Sequence, residues 1–216
     1  MIFALLFDMD GLMVDTEPLY TEAAQEIARK RGKEFTLEIK QEMMGRLGID
    51  SMRIFKERLS LSQSPEELLE ERGVIYDRLL KERGVKPMPG LFELIHLASS
   101  LGLSLAVASS CRKKWVDLIL SELNIRERFK AILTGDDIKQ GKPDPEIYLK
   151  AAERLGILPQ HCLVLEDAPS GILAGKRAGA KCIAVLSQHT KGFEFKEADL
   201  VVESLSEVTE EVLKGF

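Results

Sequence analysis

The sequence predicts an α/β fold, a doubly wound parallel β-sheet with an all-helical domain inserted after the first strand. Residues 2–7 are continuously apolar and end at Asp8, as expected of a strand buried on both faces. Residues 17–85 carry apolar residues at helical spacing and contain no convincing strand. After residue 90, helical and strand-like segments alternate, which is typical of a parallel sheet built with right-handed crossovers.

The helical insert follows the first strand. Its apolar residues recur every three or four positions, as at Leu68, Ile75 and Leu79, and this spacing predicts amphipathic helices. Ser64 and Pro65 predict the start of one helix, because Ser is a favoured N-cap and Pro a favoured first residue.

The first strand then belongs to the same sheet as the second half of the chain. We expect an α/β core of residues 1–15 plus 86–216 and a helical cap domain of residues 16–85. A cap held by two linkers over the carboxyl edge of a parallel sheet can open and close over a ligand.

The alternating part is expected to supply the remaining strands and helices. The predicted strands are residues 103–108, 131–133, 162–165, 182–185 and 200–202, and the predicted helices are residues 91–101, 113–123, 145–155, 170–178 and about 205–213.

The composition and net charge limit the classes of function that we expect for the chain. A net charge of −5, with 45% hydrophobic and 30% charged residues, is that of an ordinary globular protein and argues against a nucleic-acid partner. We expect no membrane span, since no apolar run is long enough, and a cytoplasmic monomer. The three cysteines and three histidines are scattered, so carboxylates are expected to carry the chemistry.

Polar residues follow four of the predicted strands, at the edge where ligands bind in doubly wound sheets. They are Asp8 and Asp10, Ser109, Lys142, and Glu166 with Asp167. Carboxylates this close repel one another unless a cation holds them, and hard oxygen ligands suit Mg²⁺ shared with a phosphate. The pattern therefore predicts phosphate chemistry at this edge.

Each of these residues has an expected part in phosphoryl transfer. Asp8 can attack phosphorus as a carboxylate nucleophile. Asp10 can protonate the leaving oxygen and later take a proton from water. Ser109 and Lys142 can hold the phosphate oxygens, because phosphoryl transfer depends on neutralising charge on the transferred group.

These motifs, in this order, resemble those of the haloacid-dehalogenase-like superfamily. The first is the segment 8–15, followed by Ser109, by Lys142 before Pro143, and by the segment 166–171. The resemblance covers essentially the whole chain and implies a Rossmann-like core with a helical cap, an Asp8 nucleophile that becomes an aspartyl-phosphate, and Asp10 as general acid and base.

The resemblance also implies a metal site. Asp8, the backbone carbonyl of Asp10, and Asp167 would bind Mg²⁺, with Glu166 assisting. Mn²⁺ or Co²⁺ can substitute in such sites.

Within the superfamily the chain is similar to the β-phosphoglucomutase-like group of sugar-phosphate phosphatases and mutases, notably at residues 15–19 and 88–90. β-Phosphoglucomutases carry a cap histidine where this chain has Tyr20, and a cap arginine near the place of Gly48. Loss of these groups favours plain hydrolysis of small phosphorylated metabolites, most of all sugar phosphates. Tyr20 and Arg46 are the candidate substrate contacts from the cap.

Other functions stay open at this point. They are a phosphomutase, a nucleotide phosphatase similar to pseudouridine-5′-phosphatases (on residues 42–46), and a non-catalytic module that kept a metal site. A dehalogenase needs neither Asp10 nor magnesium and is disfavoured. Cys111 lacks a histidine nearby in sequence and is interpreted as a bystander. Asp136 and Asp137 are expected to stabilise their loop.

Overall fold

A parallel β-sheet forms the centre of the computed structural model, which describes residues 1–190 and 192–216. Its strands are β1 (Ala4–Phe7), β2 (Ser104–Ala108), β3 (Ala131–Leu133), β4 (Cys162–Glu166), β5 (Lys181–Val185) and β6 (Leu200–Val202). The six strands of the described part lie in the order β3-β2-β1-β4-β5-β6. The order reverses on either side of β1, which confirms the predicted doubly wound sheet.

Helices connect the strands and form the insert. They are α1 (Glu17–Arg29), α2 (Leu37–Met43), α3 (Gly48–Leu59), α4 (Pro65–Arg83), α5 (Leu91–Ser100), α6 (Lys113–Glu122), α7 (Glu146–Leu155), α8 (Pro169–Arg177) and α9 (Glu210–Lys214). Among the described residues, no helix has the length and apolar character needed to cross a membrane.

The apolar run of β1 is buried on both faces of the sheet. Leu5 and Phe7 pack in one hydrophobic cluster, and Ala4 and Leu6 pack in another, because alternate side chains of a strand point to opposite faces. β1 pairs in parallel with β2 and with β4. Its central place explains why no polar residue interrupts the run before Asp8.

The inserted helices α1 to α4 follow β1 and precede β2 in the sequence. They pack on one another, α1 and α3 against α4 and α2 against α3. At the start of α4, the Glu67 amide donates to Ser64 Oγ (3.1 Å) and the Ser64 amide donates to Glu67 Oε2 (2.7 Å). This reciprocal capping box confirms the predicted helix start. The bounds of core and cap as separate domains stay a prediction.

The C-terminal segment differs from its prediction as one helix. A short 3₁₀ turn over Leu205–Glu207 precedes α9, and the two are separate. Thr209 has an extended backbone and its hydroxyl accepts from the Val212 amide, so a new N-cap interrupts the helical path.

Candidate active site

Lys142 lies buried between two carboxylates at the carboxyl edge of the sheet. Its Nζ donates to Asp8 Oδ1 (2.5 Å), to Glu166 Oε1 (2.6 Å) and to the Ala108 carbonyl (3.1 Å). Asp8 directly follows β1, Glu166 ends β4, and Lys142 precedes α7. The sheet topology thus brings together three residues that the motifs singled out.

Burial and charge act in opposite directions at this cluster. Burial disfavours the ammonium of Lys142, but Asp8 and Glu166 outweigh it and raise the Lys142 pKa. Burial also raises the pKa of Asp8, with Glu166 adding to the shift and Lys142 opposing it. Burial, followed by Asp8, raises the pKa of Asp167. The single ammonium group of Lys142 therefore does not balance the negative charge of the three carboxylates around it.

Glu166 is fully engaged with protein groups. Its Oε1 accepts from Lys142 and from the Tyr148 hydroxyl (2.7 Å), and its Oε2 accepts from the Ala168 amide (3.2 Å). These contacts support a role in holding Lys142, and direct metal ligation by Glu166 stays a prediction. Tyr148 was missed in the sequence because an aromatic residue on the apolar face of a helix indicates only core packing.

The acidic residues at this edge fit a divalent cation. Asp8, Glu166 and Asp167 each offer a carboxylate oxygen, and these oxygens lie within 4.8 Å of one another. The backbone of Gly11 lies close to Asp167. Its φ is +83°, and a Cβ on Gly11 would lie 2.1 Å from Asp167 Oδ2. An all-oxygen donor set with excess negative charge suits Mg²⁺ or Mn²⁺.

The Asp10 carboxylate lies outside this acidic cluster and has its own partners. Thr16 Oγ1 donates to Oδ1 (2.5 Å), while Ser109 Oγ (3.3 Å) and Cys111 Sγ (3.0 Å) donate to Oδ2. Thr16 is completely buried. The two aspartates of the first motif are thus held by different groups.

Cys111 contacts the candidate site, which its interpretation as a bystander did not anticipate. Its amide donates to Ser109 Oγ (3.1 Å) and its Sγ is hydrogen-bonded to the Tyr20 hydroxyl as well as to Asp10. Burial, followed by the charge of Asp10, raises the thiol pKa. The signal available in the sequence was its place two residues after Ser109, at the end of β2.

A cavity of about 720 Å³ lies between the inserted helices and the edge of the sheet. Asp8, Asp10 and Asp167 line it from the core, and Tyr20 and Arg46 line it from the insert. The Arg46 side chain is exposed, and its Nε donates to the Glu42 carbonyl (2.7 Å). Both predicted cap residues therefore border the space above Asp8.

Arg72 faces the same cavity and was missed in the sequence. It is 7% exposed, and its Nε has no hydrogen-bond partner among the described residues. Its guanidinium lies 5.4 Å from the Tyr20 ring centroid, and burial lowers its pKa. A detectable signal existed, because Arg72 continues the apolar stripe of Leu68 and Ile75 along α4.

Glu17 and Lys40 form a second pair on the insert side. Their Oε2 and Nζ atoms are 3.6 Å apart, and both residues line the cavity. Burial raises the pKa of Glu17, with Lys40 opposing the shift. Glu17 lies in the segment 15–19 of the resemblance, but no sequence pattern indicates that it meets Lys40, since contacts with α4 and α3 place α1 and α2.

Two acidic residues after β3 stabilise local structure, as expected. Asp137 accepts from the Thr134 amide (2.9 Å) and hydroxyl (2.7 Å). Asp136 accepts from the Lys113 amide at the start of α6 (2.8 Å). Neither belongs to the acidic cluster around Asp8 in the described part of the chain.

Fold and site define an α/β protein with an aspartate at the end of its central strand and a buried lysine beside it. The sequence model of the haloacid dehalogenase-like hydrolases matches residues 5–185. The chain belongs to that family.

Similar proteins agree with this assignment. The phosphorylated carbohydrates phosphatase of Thermotoga maritima is 36% identical over 97% of this chain and 99% of its own length. The (DL)-glycerol-3-phosphatase 2 of Arabidopsis thaliana is 36% identical over 93% of this chain and 86% of its own. The crystal structure of β-phosphoglucomutase from Clostridium difficile superposes with a TM-score of 0.87 at 27% identity, covering 100% of this chain and 96% of that one.

Proposed function

We propose that the chain is a magnesium-dependent phosphatase of small phosphorylated metabolites, in the first place sugar phosphates. The observation that carries the proposal is the position of Lys142, whose Nζ is 2.5 Å from Asp8 Oδ1 at the floor of the cavity. A buried ammonium beside a strand-end carboxylate provides a nucleophile and a counter-charge for phosphate oxygens in one place.

The proposed reaction has two steps. Asp8 attacks phosphorus, the ester P–O bond breaks, and Asp10 gives its proton to the leaving oxygen. Asp10 then takes a proton from water as that water attacks the aspartyl-phosphate, which releases inorganic phosphate and restores Asp8. Lys142 and Ser109 hold the phosphate oxygens throughout, and the Ser109 hydroxyl turns its proton from a long contact with Asp10 (3.3 Å) to the phosphate.

Mg²⁺ would be held by Asp8, Asp167 and the backbone carbonyl of Asp10, with Glu166 supporting the site through Lys142. When bound, the cation supplies positive charge that stabilises the phosphoryl group during transfer. The raised pKa values of Asp8 and Asp167 support this assignment, because a cation offsets both the loss of hydration on burial and the repulsion between neighbouring carboxylates.

The polar groups of the insert support a hydroxylated leaving group. Glu17, Lys40 and Arg72 line the cavity opposite Asp8, and they can hydrogen-bond to the hydroxyls of a sugar or polyol. The names of the relatives, a phosphatase of phosphorylated carbohydrates and a glycerol-3-phosphatase, agree with such substrates. We propose a cytoplasmic monomer that acts on such small molecules.

A phosphomutase is the second candidate, because a β-phosphoglucomutase is among the similar structures. The crowding around Gly48 favours hydrolysis over the mutase reaction. A Cβ on Gly48 would lie 2.9 Å from Leu69 and 3.0 Å from Arg72 Nη2. An arginine side chain does not fit at that position, so the insert lacks the arginine that the mutases carry there, and the guanidinium beside Gly48 is that of Arg72.

Phosphate release from a panel of sugar phosphates, polyol phosphates and nucleotides tests the proposal, with Mg²⁺ and with chelator. We expect Mg²⁺-dependent release that Asp8→Asn abolishes, with sugar or polyol phosphates preferred. Preference for nucleotides would make the chain a nucleotide phosphatase instead. Isomerisation of β-glucose 1-phosphate in the presence of a bisphosphate, without release, would show a mutase. Absence of both activities would refute an enzymatic role.

A further inference from the structure

We propose that Cys111 is a positioning residue for Asp10, and that Tyr20 holds the thiol in place for this task. The hydrogen bonds run from the Tyr20 hydroxyl to Cys111 Sγ and from that sulfur to Asp10 Oδ2 (3.0 Å). The inference rests on the proposed function, in which Asp10 is the general acid and base.

The core fixes Cys111 from its backbone. Its amide donates to Ser109 Oγ (3.1 Å), and its carbonyl accepts from the Gly135 amide (2.7 Å). The residue is 7% exposed, so its side chain has little freedom to turn away. A neutral thiol can accept one hydrogen bond from a hydroxyl and donate another to a carboxylate.

The insert fixes Tyr20. Its ring stacks on Tyr76 with centroids 4.4 Å apart at 23°, and the Arg72 guanidinium lies 5.4 Å from the centroid of the Tyr20 ring. Tyr20 belongs to α1, whereas Cys111 follows β2. The hydrogen-bonded chain therefore joins the insert to the core at the group that handles the proton.

The role of Cys111 follows from the other partners of Asp10. Thr16 holds Oδ1, and Ser109 and Cys111 share Oδ2. In the proposed reaction Ser109 turns to the phosphate, which leaves the thiol as the donor on Oδ2. Without it the carboxyl group keeps one anchor, and a carboxyl group free to rotate points its proton at the leaving oxygen for a smaller part of the time.

The test uses two kinds of phosphate ester on the intact protein. Alkyl phosphates such as glycerol phosphate need a proton on the leaving oxygen, whereas the nitrophenolate of p-nitrophenyl phosphate leaves without one. Because both esters share the second step, we compare kcat/KM, which reports the first step, and expect Cys111→Ala to lower it roughly 10-fold for the alkyl ester and by less than about 2-fold for p-nitrophenyl phosphate. Asp10→Ala should show the same selectivity to a greater degree.

Conservative variants separate positioning from packing. Cys111→Ser keeps a donor and an acceptor and should restore kcat/KM for the alkyl ester to within about 3-fold of the original protein. Tyr20→Phe keeps the ring and loses the hydroxyl, so it should show a weaker form of the same selectivity. Cys162→Ala removes another buried thiol, at the start of β4, and should cost stability without any dependence on the leaving group.

Several results would overturn the inference. Equal losses of kcat/KM with both esters, or failure of Cys111→Ser to restore kcat/KM for the alkyl ester, would each show that Cys111 acts only by packing. If Cys111→Ala does not fold, the selectivity between the two esters is measured on Cys111→Ser and Tyr20→Phe, and its absence in Tyr20→Phe refutes the inference. No turnover of any ester by the original protein would refute the proposed function, whereas turnover that depends on Asp10 but not on Cys111 would refute this inference alone.

Discussion

The close packing of α8 against Glu166 makes Gly171→Ala the most informative single substitution. A Cβ at Gly171 would lie 1.7 Å from Glu166 Oε1 and 2.4 Å from Oε2. No non-bonded contact accommodates that distance, so the carboxylate or the helix has to move. Glu166 in turn holds Lys142 and the Tyr148 hydroxyl.

The magnitude follows from two opposing effects. Alanine stabilises a helix over glycine by up to about 1 kcal/mol. Displacing Glu166 breaks a buried ion pair with Lys142, and losing one partner of such a pair costs about 3–5 kcal/mol. The net destabilisation should be about 3 kcal/mol, which lowers Tm by roughly 6–12 °C in a protein of this size. Phosphate release should be lost with it, since Lys142 also holds Asp8.

Gly73→Ala in α4 is the matched control. Gly73 is also helical and buried, but a Cβ there would meet Trp115 at 3.7 Å, an ordinary contact. This substitution should raise stability by up to about 1 kcal/mol. Thermal and urea unfolding of both variants, with phosphate release, would measure the contrast. A Gly171→Ala protein with the original Tm and activity would refute the described packing of α8 on the acidic cluster.

Two predictions concern pH. Hydrogen bonds from Lys150 and from the Gln140 amide lower the pKa of Glu146 to about 2. The ionised Glu146 therefore stabilises the fold above its unfolded pKa of about 4.3, and this stabilisation is lost as pH falls towards about 2. The Tm difference between the original protein and Glu146→Gln should shrink over that range, and a constant difference would contradict the prediction. The raised pKa values of Asp8 and Asp167 mean that the folded state retains protons that the unfolded state releases, so stability falls as pH rises above about 3.9. Mg²⁺ binds the ionised carboxylates, so the rise in Tm on adding Mg²⁺ should be larger at about pH 8 than at about pH 5. An equal rise at both pH values would place the cation elsewhere.

The sheet and the core motifs were predictable because each depends on local sequence. Continuous burial of β1 requires an apolar run, and the residues after strand ends meet at one edge in any parallel sheet. Asp8, Lys142 and Glu166 could therefore be placed together from the sequence alone. The break between the 3₁₀ turn and α9 was missed, since one threonine cap at Thr209 decides it.

The insert side of the cavity was far less predictable. Arg72 lies on a helix whose spacing fixes which residues are buried, but the spacing carries no information on which neighbouring helix covers them. Glu17 and Lys40 approach one another because contacts with α4 and α3 place α1 and α2 as they do. Such contacts depend on interhelical geometry that a single sequence does not specify.

The two aspartates of the first motif, Asp8 and Asp10, are two residues apart in the sequence. Different contacts hold them, which is consistent with the different roles proposed for them. The Asp8 amide donates to the Leu165 carbonyl of β4 (3.0 Å), so the sheet itself fixes the proposed nucleophile. Asp10 instead lies in a turn that pairs with Val14, and Val14 pairs with Pro87 of the linker that returns from the insert. The side chain of Asp10 is likewise held by Thr16 and by the thiol that Tyr20 contacts. The proposed nucleophile is thus fixed by the sheet, whereas the proposed proton-transfer group is held in part by Thr16 and, through Cys111, by Tyr20 of α1. We therefore expect a movement of α1 to shift Asp10 more than Asp8.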